Sequence, residues 1–208
     1  MMSKKEKFLY PFYVITHPFD GFYEIRHREK GSVPLALLLI LLFGLSFSIN
    51  RRYAGFIVNY VYTRTVDSRT DIIAVFVAVL LFATANWSIT CLLEGEGRFK
   101  DIVTVLGYSM LPMVLTYIPA TIISWFIAAD EEAIYYLLLG ISLLYFLVLV
   151  LIGIMVIHNF SFGKTLVTLV FTFLALALII FVILLLISLI NQVYLFLESA
   201  YTELLLRM

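Results

Sequence analysis

Two imidazoles and two carboxylates stand close together near the start of the chain: His17, Asp20, Glu24 and His27. Their spacing of three, four and three residues stacks them on one face of a helix. Imidazole and carboxylate are the donors that a zinc or other divalent site uses. Glu94, Glu96, Asp101 and His158 fall on the same predicted side of the membrane and would enlarge the donor set. The plainer reading, which we favour, is a solvated polar face with Arg26 and Arg28 pairing locally. A structural polar cluster without metal is the third reading.

Two further groups have types and spacing of interest. Glu94-Gly95-Glu96-Gly97 is a tight connection in which two glycines permit positive φ. It does not read as a phosphate cradle, because its acids repel phosphate and no Gly-Lys-Ser/Thr follows. Arg98 and Lys100 then reach lipid phosphates at the headgroups. Asn86, Trp87, Ser88 and Thr90 close one apolar stretch, and Tyr108, Ser109 and Pro112 lie in the next. Polar groups in hydrocarbon turn toward other helices. Pro112 frees carbonyls about one turn earlier, near Tyr108 and Ser109. The expectation is that helices two and three pack through Asn86, Ser88, Tyr108 and Ser109. A lipid or substrate groove at the same place is the alternative.

The elements that must position these residues are dictated by composition. Apolar residues make up 63% of 208, and charged residues 13%. A soluble domain carries roughly 25% charged residues. Lipid is therefore the solvent in which the backbone must satisfy itself, which restricts spans to helices here. Lys+Arg 14 against Asp+Glu 14 leaves no basic excess for nucleic acid. A single cysteine, Cys91, excludes an internal disulfide and reads as a buried small hydrophobe. No cleavable signal peptide is visible.

Five stretches approach spanning length. They are Val33 to Ile49, Ile72 to Leu93, Ile102 to Ala128 (broken by Pro112 and Pro119), Ala133 to Ile157, and Leu166 to Ile190. The fold class is all-α: a polytopic membrane protein of five transmembrane helices with an N-terminal amphipathic interfacial helix. Residues 1–32 form the cytoplasmic N-terminal segment, 33–190 the membrane domain, and 191–208 an amphipathic tail outside. In the N-terminal segment Pro18 suits a first helical position and Gly31 a stop. Ile15, Phe19, Phe22 and Tyr23 share the apolar side of that helix. Tyr53 to Val66 and the tail, with Tyr194, Phe196 and Tyr201, read as interfacial helices or as a docking surface for another protein.

Lys and Arg set the orientation. The N-terminal side carries Lys4, Lys5, Lys7, Arg26, Arg28, Lys30, Arg98, Lys100 and Lys164. The opposite side carries Arg51, Arg52, Arg64, Arg69 and Arg207. The richer side is placed in the cytoplasm of a cell membrane. No acid or base lies deep inside a predicted span, as a pump or proton-coupled carrier requires. No nucleophile with a base and a partner is apparent.

HPFDGFYEIRHREKGS (His17 to Ser32) and NWSITCLLEGEGRFKDIVTVLGYSMLP (Asn86 to Pro112), with HNFSFGK from His158 to Lys164, resemble the bacterial branch of the Ypt-interacting-protein (YIP) domain family. The likeness covers roughly Phe12 to Ile190. The resemblance implies five spans, an inward N-terminus and an outward C-terminus. Eukaryotic relatives bind Rab-type GTPases through a soluble acidic N-terminal segment, which is lacking here, so GTPase binding is not carried over. Bacterial members resemble accessory proteins of ABC-type exporters or sugar importers, and the family implies no catalytic residue.

The expected function is thus a non-enzymatic accessory or scaffold protein. Its expected partners are membrane lipids and another membrane complex, with ABC transporter subunits favoured; no cofactor is expected. The alternatives are a lipid- or solute-handling transporter, and a metal-dependent membrane enzyme using the His17, Asp20, Glu24 and His27 cluster.

Overall fold

A computed structural model describes residues 4–207. Met208, at the end of the expected tail, and the first three residues lie outside the described part. Among the described residues eight α-helices follow in order: α1 (Lys4–Thr16), α2 (Pro18–His27), α3 (Val33–Tyr53), α4 (Ser68–Leu92), α5 (Phe99–Ser109), α6 (Leu111–Ile123), α7 (Glu132–Ile157) and α8 (Phe162–Arg207). No strand occurs among the described residues. Five helical segments are long and apolar enough to cross a membrane, with α5 and α6 together forming one. The chain is an all-helical polytopic membrane protein, as its composition requires.

The third span is the centre of the molecule. Every residue from Asp101 to Ser109 is buried. A helix that is apolar on all sides must be surrounded by other helices or lipid, and here α3, α4 and α7 surround α5. Gly107 makes this possible: a Cβ there would lie 2.6 Å from the Ala36 carbonyl oxygen. Small residues allow such close backbone approach in membranes, where packing replaces the hydrophobic effect as the driving force. Tyr108, Phe22, Ile40, Ile102, Leu149 and Ile154 are the largest wholly buried side chains of the core.

Several boundaries differ from the sequence reading. α3 runs past Ile49 to Tyr53, carrying Asn50 and Arg51 on its last turn. The third span breaks at Met110, between α5 and α6. Pro112 then sits at the start of α6, where its missing N–H is harmless, whereas Pro119 lies inside α6 without ending it. Residues 53–66 do not form an interfacial helix. They make a turn over Phe56 to Val58 and a short 3₁₀ segment, Thr63–Thr65. α8 continues through position 190 to Arg207 without a separate tail. Cys91 is exposed rather than buried.

The N-terminal region is a helical pair, not a lone surface helix. α2 starts at Pro18 as expected and ends at His27. The positive φ after it falls on Glu29, at 51°, while Gly31 has none. Gly31 is instead required by packing, since a Cβ would lie 2.8 Å from Ile25 and 3.1 Å from Thr104. Phe22 and Ile25 turn into the bundle; Phe19 and Tyr23 stay exposed. The Tyr145 hydroxyl donates to the Ile15 carbonyl at 2.6 Å and ties α1 to α7.

Candidate functional site

Polar side chains gather on both faces of the bundle. On the N-terminal face the register of the helices brings one layer together. Phe22 of α2, Val105 of α5 and Gly153 of α7 meet in contact. One turn further toward that face stand Arg26, Asp101 and His158. Arg26 Nη1 lies 3.9 Å from Asp101 Oδ2. The same carboxylate accepts from the Arg98 backbone N–H at 3.1 Å and from Arg98 Nε at 3.0 Å. Asp101 is 3% exposed, so these bonds are what keeps a carboxylate tolerable there. Arg98 also donates to Glu29 at 3.1 Å, with Lys100 3.5 Å from the same oxygen. These hydrogen bonds hold the Glu29 carboxyl below its ordinary range, Arg98 contributing most.

His158 is 1% exposed. Its Nδ1 accepts the Gly97 N–H at 3.1 Å, which leaves the proton of the neutral ring on Nε2. The ring stacks on Phe160, whose other contact is the Lys164 ammonium 4.1 Å from its centroid. Burial pushes the imidazole down to about 4, with Arg26 lowering it further and Asp101 opposing. The two loop glycines face this ring. A Cβ at Gly95 would lie 2.5 Å from Nδ1, and one at Gly97 2.6 Å from Cε1. Neither glycine has a positive φ; Glu94 does, at 57°. The loop therefore needs glycine for the approach of His158, not for the reversal.

The four residues of the sequence-level metal cluster are not assembled as a donor set. His17 stacks on Tyr13 and His27 on Tyr23. Glu24 accepts from Lys30 at 2.8 Å, from Arg28 at 3.0 Å and from Tyr10 at 3.1 Å. The Lys30 bond leads in holding its carboxyl low. Among the described residues Asp20 forms no ion pair. Among the described residues no group of three or more His, Cys, Asp or Glu is placed to hold a metal ion. Of these eight residues, the fold brings Asp101 close to His158 and adds Arg26.

The expected seam between helices two and three is also drawn differently. Asn86 is wholly buried, but it donates to Thr172 of α8 at 3.0 Å. Ser88 is exposed and donates to the Thr84 carbonyl of its own helix. The Tyr108 hydroxyl accepts the Ser32 N–H at 3.0 Å and so closes α5 against the start of α3. Ser109 is buried beside it. The polar residues thus seal two separate joints, α4 to α8 and α5 to α3, while Ser88 bonds only within α4.

The opposite face holds residues that no motif signalled. Asn50 donates to Thr121 and accepts from Tyr135, each at 2.9 Å, joining α3, α6 and α7. Arg51 pairs with the buried Asp71 of α4. The Gly55 N–H reaches Ser124 Oγ at 2.8 Å, and Trp125 Nε1 the Tyr53 carbonyl at 2.7 Å. These partners lie 20 to 85 residues apart in the chain, so local spacing carried no signal of them.

Paired charges, a neutral buried imidazole and helix-sealing amides define a class: a multi-span helical membrane protein whose polar groups are committed to holding its helices. The Yip1 domain profile matches residues 12–197, and the chain belongs to the Yip1 domain family. No curated protein matches the chain. No solved structure does either.

Proposed function

We propose that this chain is a non-enzymatic accessory protein that holds on to another complex within the cell membrane, with ABC transporter subunits as the favoured partner. One observation carries the reading: α8 is an apolar helix that its own chain scarcely covers. It is 46 residues long, about 69 Å at 1.5 Å per residue. A bilayer core is about 30 Å thick. The helix packs chiefly on α4, and every residue from 180 to 198 is exposed. Leu189, Val193, Phe196 and Leu197 lie on that uncovered length. Apolar surface leaving the membrane uncovered invites a partner helix. The choice of an ABC transporter rests on the family likeness alone.

The same reading places the N-terminus in the cytoplasm and the C-terminus outside, supported by nine Lys and Arg against five. Affinity purification from the native host in mild detergent tests the association. Co-purification of a stoichiometric membrane complex, lost when Val193 and Leu197 become Asn, is the expected result. Recovery of the chain alone would overturn it.

Lipid handling is the second reading, and an apolar cavity favours it. The space, about 450 Å³, lies between α3, α4, α5, α7 and α8 and is walled by Phe82, Met110, Phe146 and Phe173. Lipid scrambling by reconstituted protein, abolished by Val79→Trp in this cavity, would move the assignment to it.

A further inference from the structure

On the face opposite the N-terminal helices, a cavity of about 480 Å³ lies between the 52–61 segment and the end of α6. Its wall is rigidly built. Gly55 sits so close to the Ser124 backbone that no side chain fits there. Ser124 Oγ accepts from Gly55 and donates to the Thr121 carbonyl. The Trp125 indole N–H is held by Tyr53, and the Asn59 amide donates to the Arg51 carbonyl at 3.2 Å. The polar side chains Ser124, Asn59 and Trp125 are therefore committed to the wall itself.

What the wall leaves free is one cation and an apolar lining. Arg52 is the single charged residue of the cavity, and no acidic side chain lines it. Among the described residues Arg52 has no ion pair; its guanidinium rests over the Tyr53 ring, 5.7 Å from the centroid. The remainder is Phe56, Ile57, Val61, Trp125 and Ile127. Phe56 is 90% and Trp125 67% exposed, which places aromatic rings at the headgroup level where the spans end.

An unpaired guanidinium beside an open apolar cleft, at headgroup depth, fits a molecule with one anionic group and a hydrocarbon tail. We infer that this cavity binds an anionic phospholipid of the adjoining leaflet, with the lipid phosphate on Arg52 and an acyl chain against Ile57, Trp125 and Ile127. Guanidinium matches phosphate through paired N–H donors. No acid in the wall offers an ion pair to a choline or ethanolamine ammonium, and the single cation favours a net anionic headgroup. The inference does not depend on the accessory role proposed above, because it concerns a different face and a different kind of ligand.

The test uses the chain's two tryptophans, Trp87 and Trp125. The Trp87→Phe variant leaves Trp125 as the reporter in the cavity wall. The full chain is reconstituted in phosphatidylcholine vesicles, and lipids with brominated chains are titrated in. Brominated phosphatidylglycerol is expected to quench Trp125 with about fivefold higher relative affinity than brominated phosphatidylcholine, the worth of one Arg near an anionic surface. Arg52→Gln should abolish the preference, while Arg64→Gln, an exposed cation on the same face, should keep it. Unchanged Trp125 emission in Arg52→Gln shows that the wall still folds. Equal quenching by the two lipids, or a preference that survives Arg52→Gln, overturns the inference. Equal quenching by the two lipids, together with Arg52-dependent binding of inorganic phosphate alone, assigns the site to free phosphate instead and overturns the lipid.

Discussion

His158 shows what one buried imidazole demands of its surroundings. Two glycines of the 94–97 loop make room for it, and one of them supplies its hydrogen bond. Adding a methyl group at Gly97 would force the ring or the loop aside. Gly97→Ala should therefore cost about 1–3 kcal/mol, as overpacking does. The cost should largely vanish in a His158→Ala background, which leaves space for the methyl. Thermal melting of the four proteins in detergent measures this coupling. Acid should act at the same residue. Because the folded pKa, about 4, lies below the ordinary 6.5, the neutral ring contributes fully above pH 6.5 and that contribution is lost as pH falls toward 4. The loss is on the order of 3 kcal/mol. Glu24 and Glu29 begin to act only below their ordinary 4.5, so the window between belongs to His158. In His158→Gln the melting temperature should stay flat from pH 6.5 to 5. A slope equal to that of the parent would sink the assignment.

At the scale of elements, the joints between helices are made by few polar bonds, and the strongest candidate is Asn86 to Thr172. α8 meets the bundle through the buried hydroxyls of Thr165, Thr168 and Thr172, all on one helix face. Asn86→Leu should loosen α8 from α4. Interhelical bonds of this kind are worth roughly 0.6 kcal/mol, up to about 2. The double variant with Thr172→Val should show a coupling in that range by chemical denaturation in mixed micelles. Strict additivity would mean the bond contributes nothing. The break at Met110 has a comparable logic. Ending α5 there places Pro112 in the first turn of α6, where it costs no hydrogen bond.

The whole molecule is a bundle with two polar faces and a long uncovered helix. Its ends are expected on opposite sides of the membrane, because five helical segments between them are long and apolar enough to cross it. Cysteine introduced at Ser3 and at Glu203, in a Cys91→Ser background, should label from opposite sides with an impermeant maleimide. Labelling of both from one side would exclude an odd number of crossings. The partner reading belongs at this scale too, since α8 is exposed at every residue from 180 to 198.

The sequence by itself determined the solvent, the helical class and the five spans, because an apolar run of twenty residues has only one way to satisfy its backbone in lipid. The start of α2 at Pro18 was legible for a similarly local reason: proline fixes the backbone of a first helical turn. Which faces meet was not legible. Spans that are apolar all round carry almost no periodicity to say which side turns inward. Asn86 is expected to face the third span, but its hydrogen-bond partner is Thr172 of α8. Gly95 and Gly97 were read as turn residues, and only the approach of His158 from sixty residues away shows why they must lack a side chain. Hydropathy acts along the chain and can be read there. Close packing acts between distant segments, so it was decided only when the bundle closed.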